Sequence, residues 1–317
     1  MIIDIHVHLV GLDEANGCYV DEKLSRGLVY HLLKLALGLR GVDRDELDRA
    51  YRERLVDWVH TCDVDAVGLL ALDGVYDEDG ALDLEQTKIV VPNDYCFDVC
   101  SVSEQLLPIA SINPQRRDAI EELDRVVEHG AVAIKTLPNS QGFDPSNEAY
   151  EPFWRRMAEH GIPLLTHTSF EHTIPAIDQE FGRPEKLVGP LDAGVTVIAA
   201  HCASSGVAHL HEDIDTWLAM LHDYPNLYGD ISAMASMARF PYVRRVLDDE
   251  LACQRAILGS DFPIPVSPMR LATRLAFRRA HALSRLENPI QKNLETFRAL
   301  GVPDEVFERG AEILKLA

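Results

Sequence analysis

The first eight residues, MIIDIHVH, place apolar and polar side chains at alternate positions. If this segment is a β-strand, its period of two puts Asp4, His6 and His8 on one face and the aliphatic residues on the other. An edge strand with one hydrated face would show this pattern, and so would a strand that presents metal ligands. The choice between them depends on the polar residues elsewhere in the chain.

Short apolar runs then alternate with amphipathic stretches along most of the chain, in about eight strand–helix units. Near-continuous apolar runs are typical of parallel strands that are buried on both faces. Eight such units in about 265 residues match the size of a (β/α)8 barrel. A doubly wound open sheet is the alternative, but no GxGxxG follows the first strand. We therefore predict an α/β protein with a (β/α)8 TIM barrel.

Two segments of the chain do not belong to the repeating strand–helix units. Residues of about 10–43 form a predicted cap insertion after the first strand, with an amphipathic helix at 28–39. Residues of about 266–317 form a predicted C-terminal helical extension. No linker rich in Gly, Ser or Pro divides the chain, so we predict one domain over 1–317. The added helices offer a surface on which a homodimer can form.

Four predicted strands end in a residue that can bind a metal or transfer a proton. The strand AVAI ends at Lys135, PLLT at His167, VIAA at His201 and AILGS at Asp261. The carboxyl ends of barrel strands meet at one mouth, where active sites are built. The spacing places these four residues on strands four, five, six and eight of the predicted barrel. We expect them to converge with the histidines of the first strand.

The type of ligand indicates the type of metal. Imidazole nitrogens with a carboxylate and no thiolate favour Zn²⁺, with Mn²⁺, Fe²⁺ or Co²⁺ as substitutes. Alternation along the first strand lets His6 and His8 reach the same ion. Asp4 lies two residues deeper on that face, where we expect it to support the histidines from beneath.

The segments DIHVH, IKTLP, LLTHTSF, AAHCASSG and LGSDFP, in this order, resemble the amidohydrolase superfamily. The branch that they resemble is the amidohydrolase-2 group, which includes aminocarboxymuconate-semialdehyde decarboxylase. The resemblance implies that one divalent ion is bound by a set of four residues, and that two residues act in catalysis. The implied ligands are His6, His8, His167 and Asp261, and the implied catalytic residues are Asp261 and His201.

Lys135 departs from the pattern of typical decarboxylases in this branch. In binuclear members of the superfamily, a carboxylated lysine at this strand end bridges two metals. If Lys135 has that role, His167 and His201 would bind the second ion. Because many mononuclear relatives carry a similar IK motif without this modification, we expect one metal.

The resemblance implies one of two reactions on a small organic substrate. The first is hydrolysis of an amide, a lactone or a similar ester by a metal-activated water, with Asp261 accepting its proton and His201 stabilising the oxyanion. The alternative is non-oxidative decarboxylation of an aromatic or enol carboxylic acid on the same metal. A barrel that binds a ligand without catalysis is a third interpretation, which the full set of expected ligands disfavours.

Substrate contacts are harder to predict from the sequence. Arg26, Arg183 and Arg239 fall in predicted loops or caps near the mouth, where a guanidinium can hold a substrate carboxylate through two bonds. Each is also compatible with an ordinary surface arginine. His172, which follows the fifth strand, fits a pocket position and a helix start equally well.

Composition limits the partners of the protein. The chain of 317 residues has a formal net charge of −21 and a pI near 4.9. This field repels nucleic acid and anionic membranes, and no apolar run approaches the roughly 18 residues that cross a bilayer. Six scattered cysteines without a CxxC pair, and no recognisable secretory leader, predict a reduced cytoplasmic protein. We expect a small-molecule substrate as its partner.

Overall fold

The computed structural model describes residues 1–27, 30–31, 34–35, 37–171, 173–206 and 213–316. Within these ranges, eight parallel strands form one sheet in which each strand pairs with the next in chain order. They are β1 Ile3–His8, β2 Ala66–Leu70, β3 Leu106–Ser111, β4 Ala133–Thr136, β5 Leu164–Thr166, β6 Val197–Ala199, β7 Leu227–Asp230 and β8 Ala256–Ile257.

Backbone hydrogen bonds between β1 and the segment after β8 close the sheet. The N–H of Ile5 donates to the carbonyl of Leu258 at 3.1 Å, and the N–H of His8 donates to the carbonyl of Phe262 at 2.8 Å. The result is a (β/α)8 barrel, which confirms the fold predicted from the alternation of strands and helices.

Helices follow the strands and bury one face each against the barrel. In the helix Leu47–His60, the buried residues include Leu47, Tyr51, Leu55 and Val59, at intervals of four, as expected for an amphipathic helix. The hydroxyl of Tyr51 donates to the carbonyl of His8 at 2.5 Å, so this helix also holds the end of β1. The α-helices are α1 Glu22–Arg26, α2 Leu47–His60, α3 Asn93–Cys100, α4 Ala119–Glu128, α5 Pro138–Gln141, α6 Glu151–His160, α7 Val188–Asp192, α8 Asp213–Asp223, α9 Val243–Leu247, α10 Glu250–Arg255, α11 Ala272–Leu275, α12 Phe277–Ser284, α13 Pro289–Leu300 and α14 Asp304–Ile313.

A buried cluster draws apolar side chains from around the ring of strands, including Ile109, Leu165, Ile198 and Ile257. Each large aliphatic side chain buried in this way stabilises the fold by about 1.5–3 kcal/mol. Helix α14 adds Ala311 and other residues to the same cluster. The apolar interior gives the strands a rigid base, from which their polar carboxyl ends project.

The insertion after β1 contains α1 and a two-residue strand, Tyr19–Val20, which pairs antiparallel with Ile89–Val90 in the connection after β2. The sequence pattern did not predict this pairing. The predicted cap helix at 28–39 includes residues 28, 29, 32, 33 and 36, which lie outside the described residues, so it stays a prediction. Helices α11–α14 form the predicted C-terminal extension. Over the described ranges, no helix combines the length and apolar character needed to span a membrane.

Candidate metal centre

The polar residues predicted to converge do lie at the carboxyl ends of their strands. His6 and His8 are inside β1 and Lys135 is inside β4. The other three residues, His167, His201 and Asp261, follow β5, β6 and β8 directly or after a short turn. Among the residues of this group, His8 is the most exposed, with 36% of its side chain accessible. The buried members are His6, Lys135, His167, His201 and Asp261.

Three donor atoms form a compact group at the mouth. Nε2 of His8 lies 3.0 Å from Oδ1 of Asp261, and Nε2 of His6 lies 3.4 Å from the same oxygen. His6, His8 and Asp261 each offer a ligand atom within 4.8 Å of the others. A Zn²⁺-like ion with bonds of about 2.1 Å holds two tetrahedral donors about 3.4 Å apart. These separations therefore fit one divalent ion.

The ring of His6 is held from behind by Asp230, which ends β7. Nδ1 of His6 lies 2.7 Å from Oδ2 of Asp230, and Oδ1 accepts from the backbone N–H of His201 at 2.7 Å. Burial opposes the charge of Asp230, but its contacts with His6, His201 and Ser232 outweigh burial and hold its pKa below the usual range. The ionised carboxylate keeps the proton of His6 on Nδ1 and turns Nε2 towards Asp261.

Asp4 was expected to support the histidine rings from beneath, but in the structure it contacts the backbone. Its Oδ1 accepts from the backbone N–H of His6 at 3.2 Å and from that of Ser260 at 2.9 Å. Burial raises the pKa of Asp4 to about 7. Asp4 therefore links the backbones of β1 and the segment after β8, and the carboxylate that contacts the His6 ring is Asp230.

On the other side of the mouth, Lys135 and His167 are buried without hydrogen-bond partners in the described part of the chain, at Nζ and Nε2 respectively. Nε2 of His167 lies 3.5 Å from Oε2 of Glu171. Burial lowers the pKa of His167 to about 4 and that of Lys135 to about 8. The imidazole is therefore neutral near pH 7, which is the form that binds a metal. His167 does not join the compact three-residue group.

His201 lies between the two sides of the mouth. Its Nδ1 is 2.7 Å from Oγ of Ser232, and its Nε2 is 4.0 Å from Oδ2 of Asp261. Burial lowers the pKa of His201 well below its usual value, so the ring is neutral. The backbones of His201 and Asp261 are both left-handed, with φ of 59° and 62°. Such conformations cost free energy in residues other than glycine and cluster at functional sites.

The amidohydrolase family model Amidohydro_2 matches residues 3–300. The chain belongs to this family. A comparison with curated protein sequences found no match.

Solved structures similar to this amidohydrolase extend over nearly its full length. An uncharacterized TIM-barrel protein from Bordetella bronchiseptica has a TM-score of 0.66 and 14% identity, covering 99% of this chain and 98% of its own. A protein from Pseudomonas putida assigned as a 2-pyrone-4,6-dicarboxylic acid hydrolase has a TM-score of 0.58 and 12% identity, with coverage of 99% and 97%. The 5-carboxyvanillate decarboxylase of Novosphingobium aromaticivorans, with bound manganese, has a TM-score of 0.50 and 13% identity, with coverage of 93% and 96%. At these identities the likeness shows the shared fold.

The three arginines predicted at the mouth of this amidohydrolase have different surroundings. Arg239 is buried, donates to the carbonyl of Ser204, and interacts electrostatically with Asp261. Arg26 is exposed and pairs with a glutamate of its own helix at 2.6 Å. Arg183 pairs with two neighbouring glutamates in its loop. Of the three, Arg239 is the one that the structure places beside the amidohydrolase centre, while His172 lies outside the described residues.

Sequence reasoning missed three contacts of this centre. Glu171 contacts His167, Ser232 lies 2.7 Å from the His201 ring, and Asp230 contacts the His6 ring. The sequence signal for Glu171 is its position four residues after His167, in a loop at the barrel mouth. Because hydroxyls and acids are common in loops, their pattern alone does not distinguish these residues from surface residues.

Proposed function

We propose that this protein is a metal-dependent hydrolase of a small organic substrate such as an amide, a lactone or a similar ester. The observation that carries the proposal is the convergence of His6, His8 and Asp261 at separations that suit one divalent ion. His167 is the proposed fourth ligand, since its neutral Nε2 is buried without a hydrogen bond among the described residues. The donor set favours Zn²⁺, with Mn²⁺, Fe²⁺ or Co²⁺ as substitutes.

When bound, a divalent ion would supply a Lewis acid that activates water and polarises a carbonyl oxygen. Asp261 is ionised at neutral pH, because burial opposes its charge but the surrounding histidines outweigh burial and hold its pKa well below the usual range. Its Oδ1 faces His6 and His8, while Oδ2 faces His201. Oδ2 can therefore accept a proton from water and return it to the leaving group.

The role of His201 follows from its hydrogen bonds. The hydroxyl of Ser232 donates to Asp230, so its oxygen accepts from Nδ1–H of His201. This arrangement leaves Nε2 of the neutral ring as a proton acceptor directed towards Asp261. We assign His201 to proton exchange with the substrate, where its protonated form would also stabilise a developing oxyanion.

A second candidate is a non-oxidative decarboxylase on the same centre. The buried guanidinium of Arg239 favours it, since a cation near Asp261 can hold a substrate carboxylate. The fold similarity to 5-carboxyvanillate decarboxylase also agrees with this activity. A two-ion form of either enzyme would use Lys135, if carboxylated, as a bridge, with His167 and His201 on the second ion.

Metal analysis of the purified protein tests the proposal directly. About one equivalent of Zn²⁺ or Mn²⁺ supports the mononuclear centre, and two equivalents would favour the Lys135 bridge. No metal after metal-supplemented expression would contradict both enzymatic functions and favour a barrel that only binds a ligand. A panel of lactones, amides and hydroxybenzoates then separates hydrolysis from CO₂ release.

The proposed setting is the cytoplasm, with a small molecule as the partner. All six cysteines are free in the structure, which agrees with a reducing compartment. The net charge of −21 disfavours binding to nucleic acid or to an anionic membrane.

A further inference from the structure

Glu171 is a buried carboxylate at the barrel mouth for which the proposed mechanism has no role. Its backbone is fixed by the side chain of Gln179, which accepts from the N–H of Glu171 at 2.9 Å and donates to its carbonyl at 2.7 Å. Its carboxylate is fixed as well, because Oε1 accepts from the N–H groups of Thr173 and Ile174. The loop therefore holds this side chain in one position.

The second oxygen of Glu171 is directed at the candidate centre. Both hydrogen bonds that the carboxylate accepts within the described residues fall on Oε1, and Oε2 faces Nε2 of His167 at 3.5 Å. The side chain is 9% exposed, so it is buried without being sealed from the mouth. An ionised oxygen in this position is available to a group that enters beside His167.

The charges around Glu171 indicate which group that is. The backbone N–H groups of Thr173 and Ile174 donate to Oε1, which stabilises the ionised form of the carboxylate. A second carboxylate placed beside it would be repelled in a poorly solvated site. An N–H donor or a cation would instead receive the hydrogen bond that Oε2 can accept.

The positive charge of Arg239 does not reverse this preference for an N–H donor or a cation. Its guanidinium is buried and donates to the carbonyl of Ser204. Its positive charge interacts with three carboxylates of the protein, Asp261, Glu171 and Asp230. This arginine therefore already balances negative charge within the barrel. The buried amine of Lys135 does the same, since it interacts electrostatically with Asp230, Asp261 and Glu171. The oxygen directed at the space beside His167 is Oε2 of Glu171.

We propose that Glu171 determines specificity by accepting a hydrogen bond from an N–H or cationic nitrogen of the substrate and by excluding a carboxylate from that position. This inference rests on the proposed hydrolase function and narrows its substrates to amides and related nitrogen compounds. It also distinguishes the hydrolase from a decarboxylase, whose substrate must bring a carboxylate to the centre.

The test uses three probes of nearly the same shape and different charge: benzoate, benzamide and benzamidine. Their affinities for the full-length, Zn²⁺-loaded protein are measured by calorimetry for wild type, Glu171→Gln and the control Glu180→Gln. Glu180 is exposed and pairs with Arg183 at the surface. Benzoate can also bind zinc through its carboxylate, so the change in each affinity on substitution is compared rather than the order of affinities in wild type. In Glu171→Gln, benzamidine should bind about 10- to 100-fold more weakly and benzoate more tightly, with no change in Glu180→Gln.

Two results would overturn the proposal. One is a Glu171→Gln variant that binds benzamidine as tightly as wild type does, and the other is a variant in which all three affinities change by the same factor. Zinc content measured on the same samples separates further outcomes. Loss of zinc in Glu171→Gln would make Glu171 a ligand and reject the specificity role. Absence of zinc from wild type would reject the proposed function, while the change in probe affinities on substitution would still test Glu171.

Discussion

The two sides of the barrel mouth differ in how their buried polar groups are hydrogen-bonded. On the side of β1, β7 and β8, the rings and carboxylates of His6, Asp230 and Asp261 are joined by close polar contacts. On the side of β4 and β5, Nζ of Lys135 and Nε2 of His167 are buried and lack hydrogen bonds in the described part of the chain. The first side is held in its geometry by the protein alone. The second side keeps unsatisfied polar groups that a ligand would complete.

This difference affects the stability of the fold. A buried polar group without a partner costs about 1–3 kcal/mol, whereas a satisfied network contributes to stability. The β4–β5 side therefore lowers the stability of the fold, as is common at functional sites. Substitutions on the first side should therefore damage binding and turnover, whereas removal of the Lys135 amine on the second side should raise stability.

The largest effect is expected for Asp261→Asn on the hydrogen-bonded side. Loss of the anion that faces both His6 and His8 should lower turnover by about 10²- to 10⁴-fold with the fold retained. The measurements are kcat on the substrate found in the panel, metal content and circular dichroism. Asp248→Asn, which removes an exposed partner of Arg244, is the control and should keep full activity. Wild-type turnover in Asp261→Asn would reject the proton-transfer role.

The next largest effect is expected for Lys135→Met, which should raise the stability of the fold because it removes an unpartnered amine. Burial lowers the pKa of Lys135 from 10.5 to about 8, so below pH 8 the native state carries a charge that is more stable in the unfolded chain. At pH 7 the metal-free variant should be more stable than wild type by about 3 kcal/mol. As pH rises from 8 to 10.5, Lys135 of the wild type increasingly loses its proton on folding. The difference in unfolding free energy between the variant and wild type should therefore shrink.

Urea unfolding in the presence of a chelator, from pH 7 to pH 10.5, measures this change. Lys186→Met is the matched control, because Lys186 is partly exposed and pairs with Asp144 at 2.6 Å. A stability difference between Lys135→Met and wild type that stays constant with pH would show that the charge of Lys135 is not its source.

A smaller effect is expected for Asp230→Asn, which removes the anion behind the His6 ring. Ligand histidines that lose such a partner typically bind metal 10- to 100-fold more weakly. Competition with a fluorescent chelator at fixed pH gives the affinity. Asp223→Asn, at the exposed end of α8, provides the comparison. Unchanged affinity in Asp230→Asn would mean that the contact does not orient His6 for the metal.

The smallest effect is expected for Ser232→Ala. His201 would lose the hydroxyl at 2.7 Å but keep the Ser232 carbonyl at 3.2 Å, so its ring should be less firmly held. One hydrogen bond of about 1 kcal/mol predicts a loss of about fivefold in kcat. Metal affinity should be unchanged, because Ser232 is not among the proposed ligands. A change in metal affinity as large as that of Asp230→Asn would show that Ser232 acts through Asp230 and His6 rather than through His201.

The convergence of the proposed metal ligands was predictable because barrel strands share one orientation. Any polar residue that ends a strand, such as His167 or Asp261, is brought to the same mouth whatever the length of the connections. The alternation in β1 likewise identified His6 and His8 as neighbours. These features depend on strand periodicity, which is visible in a single sequence.

The supporting contacts were not predictable, because they depend on where side chains turn in three dimensions. Asp230 contacts the ring of His6 from 224 positions along the chain. Glu171 faces the centre because its loop is held by the side chain of Gln179, and Arg239 is buried because it reaches Ser204. Arg26 and Arg183 have similar local sequence character but lie in surface ion pairs. Burial of this kind arises from packing between distant segments.

The two ends of the described chain meet at the barrel. The backbone of Gly310 in α14 lies against Ile3 and Ile5 of β1, and His8 contacts Asp261 across 253 positions. During synthesis, the two histidines of β1 leave the ribosome before Asp261, the carboxylate with which they converge. A nascent or prematurely terminated polypeptide therefore holds imidazoles but no assembled site, and metal capture by the proposed centre becomes a property of the finished molecule.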